Sequence, residues 1–284
     1  MSEESYTSAP NLSVEAGNGI TYAYRRVGRA RAGAPPLICL QHFRGNLDNW
    51  DPLLIDELAA NREVIAVDNT GVGLSSGTVP RDVTTMARDA IAFLDALALH
   101  EVDLLGYSLG GMVAQDLALL RPRQVRRLVL AGTGPQGGGE LMHGWIPDVA
   151  AIANAETYEP EAVIRLFFAI SETSIARGHA YLQRFVSRTA ESDRPNGLEV
   201  RDAQYDAIVA WGIPDASKLN RLAGITQPTL VANGDNDTMI PTVNSYILAR
   251  TLPNARLKIF PDAGHGFVFD WPVEFADTIT HFLA

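Results

Sequence analysis

Short apolar runs alternate with amphipathic stretches along most of the chain. The apolar runs predict buried parallel strands at residues 37–41, 64–68, 102–105, 125–131, 229–233 and 257–260. The stretches between them carry apolar residues at helical spacing and predict helices at residues 52–60, 84–99, 109–120 and 243–251, and from residue 272 onward. Strands alternating with helices predict an α/β fold, a mostly parallel twisted sheet with helices on both faces.

The start of the chain departs from this alternation. Residues 12–15 and 20–24 alternate apolar and polar positions on either side of Asn18-Gly19, a dipeptide that favours a tight hairpin turn. We therefore expect the sheet to begin with two antiparallel strands. Residues 1–10 are polar and acidic, so they predict a flexible arm and differ from a secretory signal.

A second departure begins near Thr133. Residues 134–139 read G-P-Q-G-G-G and predict a linker, because no Lys-Ser or Lys-Thr comes after them as a phosphate-binding loop would require. The next eighty or so residues have a helical pattern without a convincing strand, clearest at residues 163–170, 181–189 and 204–211. The chain is thus divided into an α/β core, residues 11–133 and 223–284, and an inserted helical lid, residues 134–222.

Composition narrows the class of protein. The chain has 284 residues, 46% of them hydrophobic, which fits one globular α/β domain with an insertion. Its net charge of −10 argues against nucleic acid or an anionic membrane as a partner. No apolar run approaches the roughly 20 residues that span a bilayer, so we expect a soluble, cytoplasmic protein.

Motifs for cofactors and metals are not evident in the sequence. The single cysteine, Cys39, lies in an apolar run and predicts a packed thiol. No dinucleotide G-x-G-x-x-G follows the first strand, and no His, Cys or Asp grouping has metal-ligand spacing. We therefore expect no cofactor and no metal.

Residues 106–110 read G-Y-S-L-G, a G-x-S-x-G pattern between a predicted strand and a predicted helix. In such a sharp turn the serine is exposed above the sheet at the positive end of the helix, and the glycines avoid collisions with neighbouring backbone. The pentapeptide alone also occurs by chance in simple turns. The strand and helix that flank it favour Ser108 as a nucleophile.

A serine nucleophile needs a base, and the base needs a third group to hold its tautomer. His265 follows the last predicted strand, and Asp237 follows the strand after the insertion. Loops at the carboxyl ends of parallel strands share one edge of a sheet, so we expect both residues to meet Ser108 there. Asp235 is the rival acid, but an aspartate directly after Gly234 commonly caps its own turn.

The oxyanion of a tetrahedral intermediate needs two hydrogen-bond donors. The backbone N–H of Leu109, directly after the serine, is one. The loop that follows residues 37–41 supplies the other, which we assign to the N–H of Phe43. Its neighbour His42 is interpreted as a structural anchor of that loop.

The chain resembles the α/β-hydrolase fold family, in its serine-nucleophile branch with a lid, which includes esterases and perhydrolases. The resemblance covers nearly the whole chain, and its most specific motifs are G-Y-S-L-G-G, N-G-D-N-D-T-M-I-P and D-A-G-H-G-F. Two segments depart from the family pattern. His42-Phe43 replaces the usual His-Gly, and residues 68–75, D-N-T-G-V-G-L-S, lack the usual arginine.

The resemblance implies a hydrolase acting on ester bonds. We expect cleavage of a small or medium-sized apolar carboxylic ester or lactone through an acyl-enzyme on Ser108. Relatives that share this site plan leave C–C bond hydrolysis and cofactor-free haloperoxidase or perhydrolase activity open. Two further classes also remain: a lyase of the hydroxynitrile type, and a non-catalytic ligand-binding module.

Substrate selection is expected to involve the insertion. Aromatic and methionine side chains of the lid and core predict an apolar pocket, although each alone is more typical of ordinary packing. The candidate pocket residues are Met112, Trp145, Phe167, Phe168, Trp211, Met239 and Phe267.

Overall fold

The computed structural model describes residues 5–138 and 145–284. Its eight-stranded sheet has the order β1-β2-β4-β3-β5-β6-β7-β8. The strands are β1 (Leu12–Glu15), β2 (Thr21–Val27), β3 (Leu37–Leu40), β4 (Val64–Val67), β5 (Val102–Tyr107), β6 (Val125–Ala131), β7 (Thr229–Gly234) and β8 (Ala255–Phe260). β2 pairs antiparallel with β1 and β4, and the other neighbours are parallel. The expected mostly parallel sheet is confirmed.

Helices connect the parallel strands. They are α1 (Pro52–Ala59), α2 (Val83–Ala96), α3 (Leu109–Leu120), α4 (Pro147–Ala153), α5 (Pro160–Phe167), α6 (Glu172–Phe185), α7 (Leu198–Gly212), α8 (Ala216–Leu219), α9 (Val243–Thr251), α10 (Phe267–Asp270) and α11 (Pro272–Leu283). α1 packs against α11, and α2 packs against α3. The α/β-hydrolase fold expected from the sequence is confirmed.

The central strands are buried along their whole length. Every residue of β3, β4 and β5 is buried, as expected for parallel strands covered on both faces. Such strands have no alternating pattern, which explains their continuous apolar sequences. The antiparallel pair at the edge follows the predicted hairpin, with Glu15 opposite Thr21 and Gly19 at φ 78° in the turn.

The described residues between β6 and β7 form helices α4 to α8 and contain no strand. Polar side chains of α6 are among the groups that attach them to the core. Arg184 of α6 donates two hydrogen bonds to the buried carboxylate of Asp51, at 2.9 and 2.6 Å. Ser174 Oγ donates to Asp270 Oδ2 at 2.7 Å. The predicted lid therefore has a fixed contact with the sheet domain.

The glycine-rich segment is more ordered than its composition suggested. The Gly134 carbonyl accepts hydrogen bonds from Trp211 Nε1 and Gln115 Nε2, both at 3.1 Å. The Gly137 N–H donates to the Trp211 carbonyl, and the Gly137 carbonyl accepts from the Asp215 N–H, both at 2.9 Å. Residues 134–138 thus pack on the end of α7 and the start of α8, whereas residues 139–144 lie outside the described part of the chain.

The N-terminal segment also differs from the expected flexible arm. Residues 1–4 lie outside the described part of the chain, but residues 5–10 pack on the domain. The Tyr6 side chain is 2% exposed, and its hydroxyl donates to the Leu47 carbonyl at 2.7 Å. Arg188 donates to the carbonyls of Thr7 and Ala9, both at 2.9 Å. These partners are distant in sequence, so the local polarity of the segment gave no sign of them.

Candidate active site

Ser108 occupies the sharp turn between β5 and α3. Its backbone has φ 56° and ψ −117°, a conformation that is uncommon and strained for a residue with a side chain. Hydrogen bonds hold it on both sides: its N–H donates to the Ala131 carbonyl at 2.8 Å, and its carbonyl accepts from the Gly111 N–H at 2.9 Å. The turn is therefore imposed by the neighbouring strand β6 and by the start of the helix.

The glycines around the serine are required by close backbone contacts. A Cβ on Gly106 would lie 2.4 Å from the carbonyl oxygen of Gly110. A Cβ on Gly110 would lie 2.0 Å from the carbonyl oxygen of Leu40 at the end of β3. Both distances are far inside van der Waals contact. The sequence pattern predicted this turn because side chains at residues 106 and 110 would collide with neighbouring backbone, and the structure shows those close contacts.

His265 and Asp237 meet at the carboxyl ends of β8 and β7. His265 Nδ1 lies 2.7 Å from Asp237 Oδ2, and the two side chains are at most 1% exposed. The other carboxylate oxygen accepts the backbone N–H groups of Met239 and Ile240, both at 2.8 Å. Because an ionised carboxylate only accepts, Nδ1 carries the hydrogen, and Nε2 of the neutral ring is free to accept a proton.

Asp235, the rival acid, has a different environment. Its Oδ1 accepts from Asn236 Nδ2 at 2.6 Å and from the Ala263 N–H at 3.1 Å. It therefore ties the turn after β7 to the loop after β8 and makes no contact with the imidazole. The structure places Asp237 beside His265.

Ser108 and His265 line the same small cavity, of about 10 Å³. Side chains of the core and the lid complete its walls, namely His42, Phe43, Tyr158, Leu166, Phe167 and Met239. Four of these, His42, Phe43, Tyr158 and Phe167, also line a neighbouring cavity of about 370 Å³. A wall of aromatic side chains thus separates the serine from a larger space.

Aromatic rings fix the orientation of His265. The Tyr107 ring stacks on the imidazole with centroids 5.3 Å apart and planes 28° apart, and its hydroxyl donates to the His265 carbonyl at 2.9 Å. Burial raises the pKa of Tyr107 well above 10, so the hydroxyl stays protonated. Phe167 packs on the imidazole at a centroid distance of 5.8 Å.

The glycines that flank His265 allow α5 of the insertion to approach. The Phe167 carbonyl accepts the Gly266 N–H at 2.5 Å. A Cβ on Gly264 would lie 2.7 Å from that carbonyl oxygen, and a Cβ on Gly266 would lie 2.7 Å from Phe167 Cβ. Any side chain at either position would displace Phe167 from the site.

The loop after β3 presents the Phe43 N–H. In the described part of the chain neither this N–H nor that of Leu109 donates a hydrogen bond. The loop is braced by Gln41, whose Oε1 accepts from the His42 N–H at 2.8 Å and whose Nε2 donates to the Asn46 carbonyl at 3.3 Å. Two free donors therefore remain available near the serine.

His42 anchors the same loop. Its Nδ1 donates to the Phe43 carbonyl at 2.8 Å, and its ring contacts those of Tyr107 and Phe167 edge-on, both at a centroid distance of 5.3 Å. Burial lowers the pKa of His42 from 6.5 to about 4. The side chain is neutral at neutral pH, which suits a structural role.

The expected pocket residues divide into three groups. Phe167 and Met239 line the cavity at Ser108. Trp145 packs edge-on against Phe43 with centroids 5.2 Å apart. Phe168 lines another cavity, of about 670 Å³, which shares Leu166 with the cavity at Ser108. Met112, Trp211 and Phe267 do not line the cavity at Ser108.

Those three residues belong to the packing of the domain. Met112 is fully buried in α3, and Trp211 is directed to the Gly134 carbonyl. Phe267 is fully buried, with its ring 5.2 Å from that of Phe260 and 5.0 Å from that of Phe275. The direction in which an aromatic side chain points after the last strand is set by α11, which the local sequence does not reveal.

Tyr107, Tyr158 and Leu166 were not predicted as site residues from the sequence. Tyr107 had a usable signal, because it directly precedes Ser108 in the G-Y-S-L-G pattern. Tyr158 follows α4 in the lid and reaches the cavity only through tertiary packing.

Metal clusters and membrane-spanning helices are both missing from the described residues. Residues 5–138 and 145–284 contain no group of three or more His, Cys, Asp or Glu side chains arranged to hold a metal ion. No helix in the same ranges is long and apolar enough to cross a membrane.

Comparison with known proteins gives relatives over almost the full chain. A poly(3-hydroxyalkanoate) depolymerase from Ectopseudomonas oleovorans is 33% identical over 89% of this chain and 87% of its own. A 2-hydroxymuconate semialdehyde hydrolase from Pseudomonas sp. (strain CF600) is 31% identical over 98% of this chain and 97% of its own.

The solved structure of an alpha/beta hydrolase fold protein from Chitinophaga pinensis superposes with a TM-score of 0.91, at 40% identity and over 98% of each chain. The sequence also matches the alpha/beta hydrolase fold family over residues 35–272, which span both halves of the sheet and the helices between them. The chain therefore belongs to the α/β-hydrolase fold family.

Proposed function

We propose that the protein is a serine hydrolase that cleaves a small or medium-sized apolar carboxylic ester or lactone through an acyl-enzyme on Ser108. One observation carries this proposal. Ser108, at the strained turn, shares a small cavity with His265, whose Nδ1 is held by Asp237 at 2.7 Å. A nucleophile, a base and an orienting acid from three distant parts of the chain thus meet at one edge of the sheet.

The first half of the reaction acylates the serine. Ser108 Oγ attacks the carbonyl carbon of the substrate while His265 Nε2 accepts its proton. The negative charge formed on the carbonyl oxygen is stabilised by the N–H groups of Phe43 and Leu109. When the intermediate collapses, the bond to the alcohol breaks and the imidazolium returns the proton to the leaving oxygen.

The second half releases the acid. A water molecule loses a proton to His265 Nε2 and attacks the acyl carbon, and the charge that forms on the carbonyl oxygen is again stabilised by the two N–H groups. The bond to Ser108 Oγ then breaks, and the serine recovers its proton from the imidazolium. Asp237 keeps the productive tautomer and stabilises the imidazolium in both halves.

We propose that helices α4 to α8 act as the lid. Leu166 and Phe167 of α5 and Tyr158 close the cavity above Ser108, together with Met239 of the core. Apolar walls favour an apolar acyl or alcohol group, and they exclude water that would compete with the substrate. An ester bond is also consistent with the similarity to a poly(3-hydroxyalkanoate) depolymerase.

C–C bond hydrolysis is the second candidate. The similarity to a 2-hydroxymuconate semialdehyde hydrolase, over nearly the whole length of both chains, favours it. Both reactions use the same nucleophile and base, so the cavity lining distinguishes them. Among its described lining residues the cavity at Ser108 has no arginine or lysine to pair with a charged dienoate, which favours the ester or lactone.

A substrate panel tests the proposal. Wild-type protein is assayed with short esters, lactones and 2-hydroxymuconate semialdehyde beside Ser108→Ala and a matched control, Ser245→Ala. Among the described residues Ser245 Oγ is buried and has no hydrogen-bond partner, so its loss should leave turnover unchanged. We expect Ser108→Ala to lose at least ~10⁴-fold in kcat and to escape labelling by a fluorophosphonate. Full turnover in Ser108→Ala would refute the nucleophile.

A further inference from the structure

Arg44 joins the oxyanion loop to the lid by its side chain. Its guanidinium donates to the carbonyls of Ala155 at 2.6 Å and Glu156 at 2.9 Å, with a longer contact to Ala153 at 3.4 Å. The ring of Tyr158 lies over the guanidinium, 4.5 Å from Cζ to the ring centroid. A core loop thus supplies a positive charge to the segment that directly follows α4, whose last residue is Ala153.

The charge is well placed for that helix end. The last carbonyls of a helix have no partner inside the helix and carry the negative end of its dipole, and the contact of Arg44 with Ala153 at 3.4 Å reaches one of them. Tyr158, held over Arg44, donates its hydroxyl to the Ala153 carbonyl at 2.6 Å and lines the cavity at Ser108. The same contact therefore fixes one wall of the cavity.

The backbone of Arg44 is also attached to the lid. Its N–H donates to Gln204 Oε1 of α7 at 2.6 Å, and its carbonyl accepts from Asn196 Nδ2 at 2.8 Å. Lid side chains therefore position both the N–H and the carbonyl of Arg44, the residue after Phe43. The orientation of the Phe43 N–H depends on the same short segment.

Arg44 adopts φ 60°, the left-handed conformation, although it is not glycine. This conformation costs about 1–2 kcal/mol for a residue with a side chain. A glycine would adopt this conformation without strain. The turn alone therefore gives no reason for an arginine at residue 44, and the glycine of this segment is the next residue, Gly45. The strain is offset by the contacts that only the arginine side chain makes with the lid.

We propose that Arg44 is a positioning residue that couples docking of the lid to alignment of the Phe43 N–H with the oxyanion. This inference rests on the proposed function, because it assigns the Phe43 N–H a role in that reaction. With the lid docked, the loop is held in the strained conformation that directs the N–H to the cavity. Without the arginine contacts, the loop relaxes and the donor is misaligned.

Arg201 provides a matched control. Its Nη1 donates to the Asn154 carbonyl at 2.7 Å, at the same end of α4, but Arg201 lies on α7 and is not part of the oxyanion loop. Arg44→Met and Arg201→Met therefore each remove a guanidinium from one helix end. Only Arg44→Met also removes side-chain contacts of the oxyanion loop, which then keeps just the backbone bonds of residue 44 to Gln204 and Asn196.

The experiment compares the two variants in steady-state kinetics and in binding of an alkyl trifluoromethyl ketone. Ser108 Oγ adds to the carbonyl carbon of this ketone. The oxyanion of the resulting adduct then occupies the same position as the oxyanion of the tetrahedral intermediate. Complete loss of an oxyanion donor costs about 10²–10³-fold in kcat. We expect Arg44→Met to lose about 10- to 100-fold in kcat, with KM within about threefold, and to weaken ketone binding by the same factor.

Arg201→Met should keep kcat and ketone affinity within about twofold of wild type. Arg44→Lys keeps the charge but cannot hold two carbonyls and stack on Tyr158 together, so we expect an intermediate loss. It also provides a second measurement if Arg44→Met is poorly folded.

Equal losses in Arg44→Met and Arg201→Met would overturn the inference, because a loosened lid would then explain both. Unchanged ketone affinity in the Arg44 variants would also overturn it. Failure of the wild-type protein to bind the ketone or react with a fluorophosphonate would instead refute the proposed function.

Discussion

The phenol of Tyr107 and the imidazole of His265 form one unit, stacked at 5.3 Å and joined by a 2.9 Å hydrogen bond from the hydroxyl to the His265 carbonyl. Tyr107 is the residue before Ser108, at the end of β5. The strand that leads to Ser108, the proposed nucleophile, therefore also positions the loop that carries the proposed base. Relative placement of the two groups does not depend on the lid alone.

Tyr107→Phe should keep the ring stack and lose this hydrogen bond. An unsatisfied buried carbonyl costs about 1–3 kcal/mol, so we expect a lower free energy of unfolding and a several-fold lower kcat. Tyr22→Phe is the matched control, since the Tyr22 hydroxyl accepts from Asn18 Nδ2 at 2.8 Å and its buried side chain lies on β2, which carries no site residue. Denaturant titration and ester kinetics measure both variants. A kcat loss of the same size in Tyr22→Phe would contradict the positioning role.

Phe167→Leu should change the size of substrate that is accepted. Phe167 lines both the cavity at Ser108 and the neighbouring cavity of about 370 Å³, so a smaller side chain opens a passage between them. We expect kcat/KM for longer acyl chains to rise relative to acetate esters by about tenfold, as one or two buried methylenes would allow. Phe185→Leu, which changes only the neighbouring cavity, should leave this preference as it is. A p-nitrophenyl ester series of increasing length measures the ratio.

Gly110→Ala should strongly destabilise the fold. The new Cβ would lie 2.0 Å from the Leu40 carbonyl oxygen, so α3 and β3 must separate. Overpacking against backbone of this severity costs about 3 kcal/mol or more. The control is Gly17→Ala, where a Cβ meets no atom within 4 Å. Thermal unfolding should show a large fall in Tm for Gly110→Ala and a change near zero for Gly17→Ala. Similar Tm values in the two variants would contradict the predicted steric clash.

Protonation of His42 should destabilise the protein in acid. Its pKa is about 4 in the folded state and 6.5 ordinarily, so the unfolded chain binds the proton more readily. Stability from this residue is complete above pH 6.5 and is lost as pH falls toward 4. At about 1.4 kcal/mol per pH unit the total loss is on the order of 3 kcal/mol.

Two measurements check this pH dependence. The His42 ring resonances in a proton NMR titration should remain those of neutral imidazole down to about pH 5, one unit above its folded-state pKa of about 4. In His42→Gln the fall in Tm between pH 6.5 and pH 4 should be smaller than in wild type. Titration of His42 near its ordinary value of 6.5 would show that burial does not control its charge.

The order of elements follows from the sequence because parallel strands buried on both faces must be continuously apolar. β3, β4 and β5 could be recognised for that reason. The turn at Ser108 was recognisable because close backbone contacts require glycine at residues 106 and 110, and those glycines are visible in the sequence. The choice of Asp237 over Asp235 rested on the expectation that Asp235 caps its own turn, whereas in the structure Asp235 accepts the N–H of Ala263 in the loop after β8.

The helix boundaries of the insertion are harder to predict from the pattern of hydrophobic residues. α6 begins at Glu172, where Ser171 accepts a hydrogen bond from the Ser174 N–H, although the apolar pattern alone suggested a start near residue 181. A polar first half, stabilised by its cap and by contact with α10, hides the helix from a hydrophobic pattern. Helix boundaries in the insertion therefore depended on tertiary contacts.

The sequence by itself determined the α/β sheet, the strained turn and the three side chains that meet at the edge of the sheet. These features depend on the periodicity of hydrophobic positions, on the steric need for glycine and on the order of the strands. Only the tertiary structure decided which aromatic side chains enclose the serine, that Phe267 faces the core, that Tyr6 is buried and that Arg44 holds the lid. Those outcomes depend on which distant surfaces meet, and a contact between residues far apart along the chain leaves no periodic trace in the sequence.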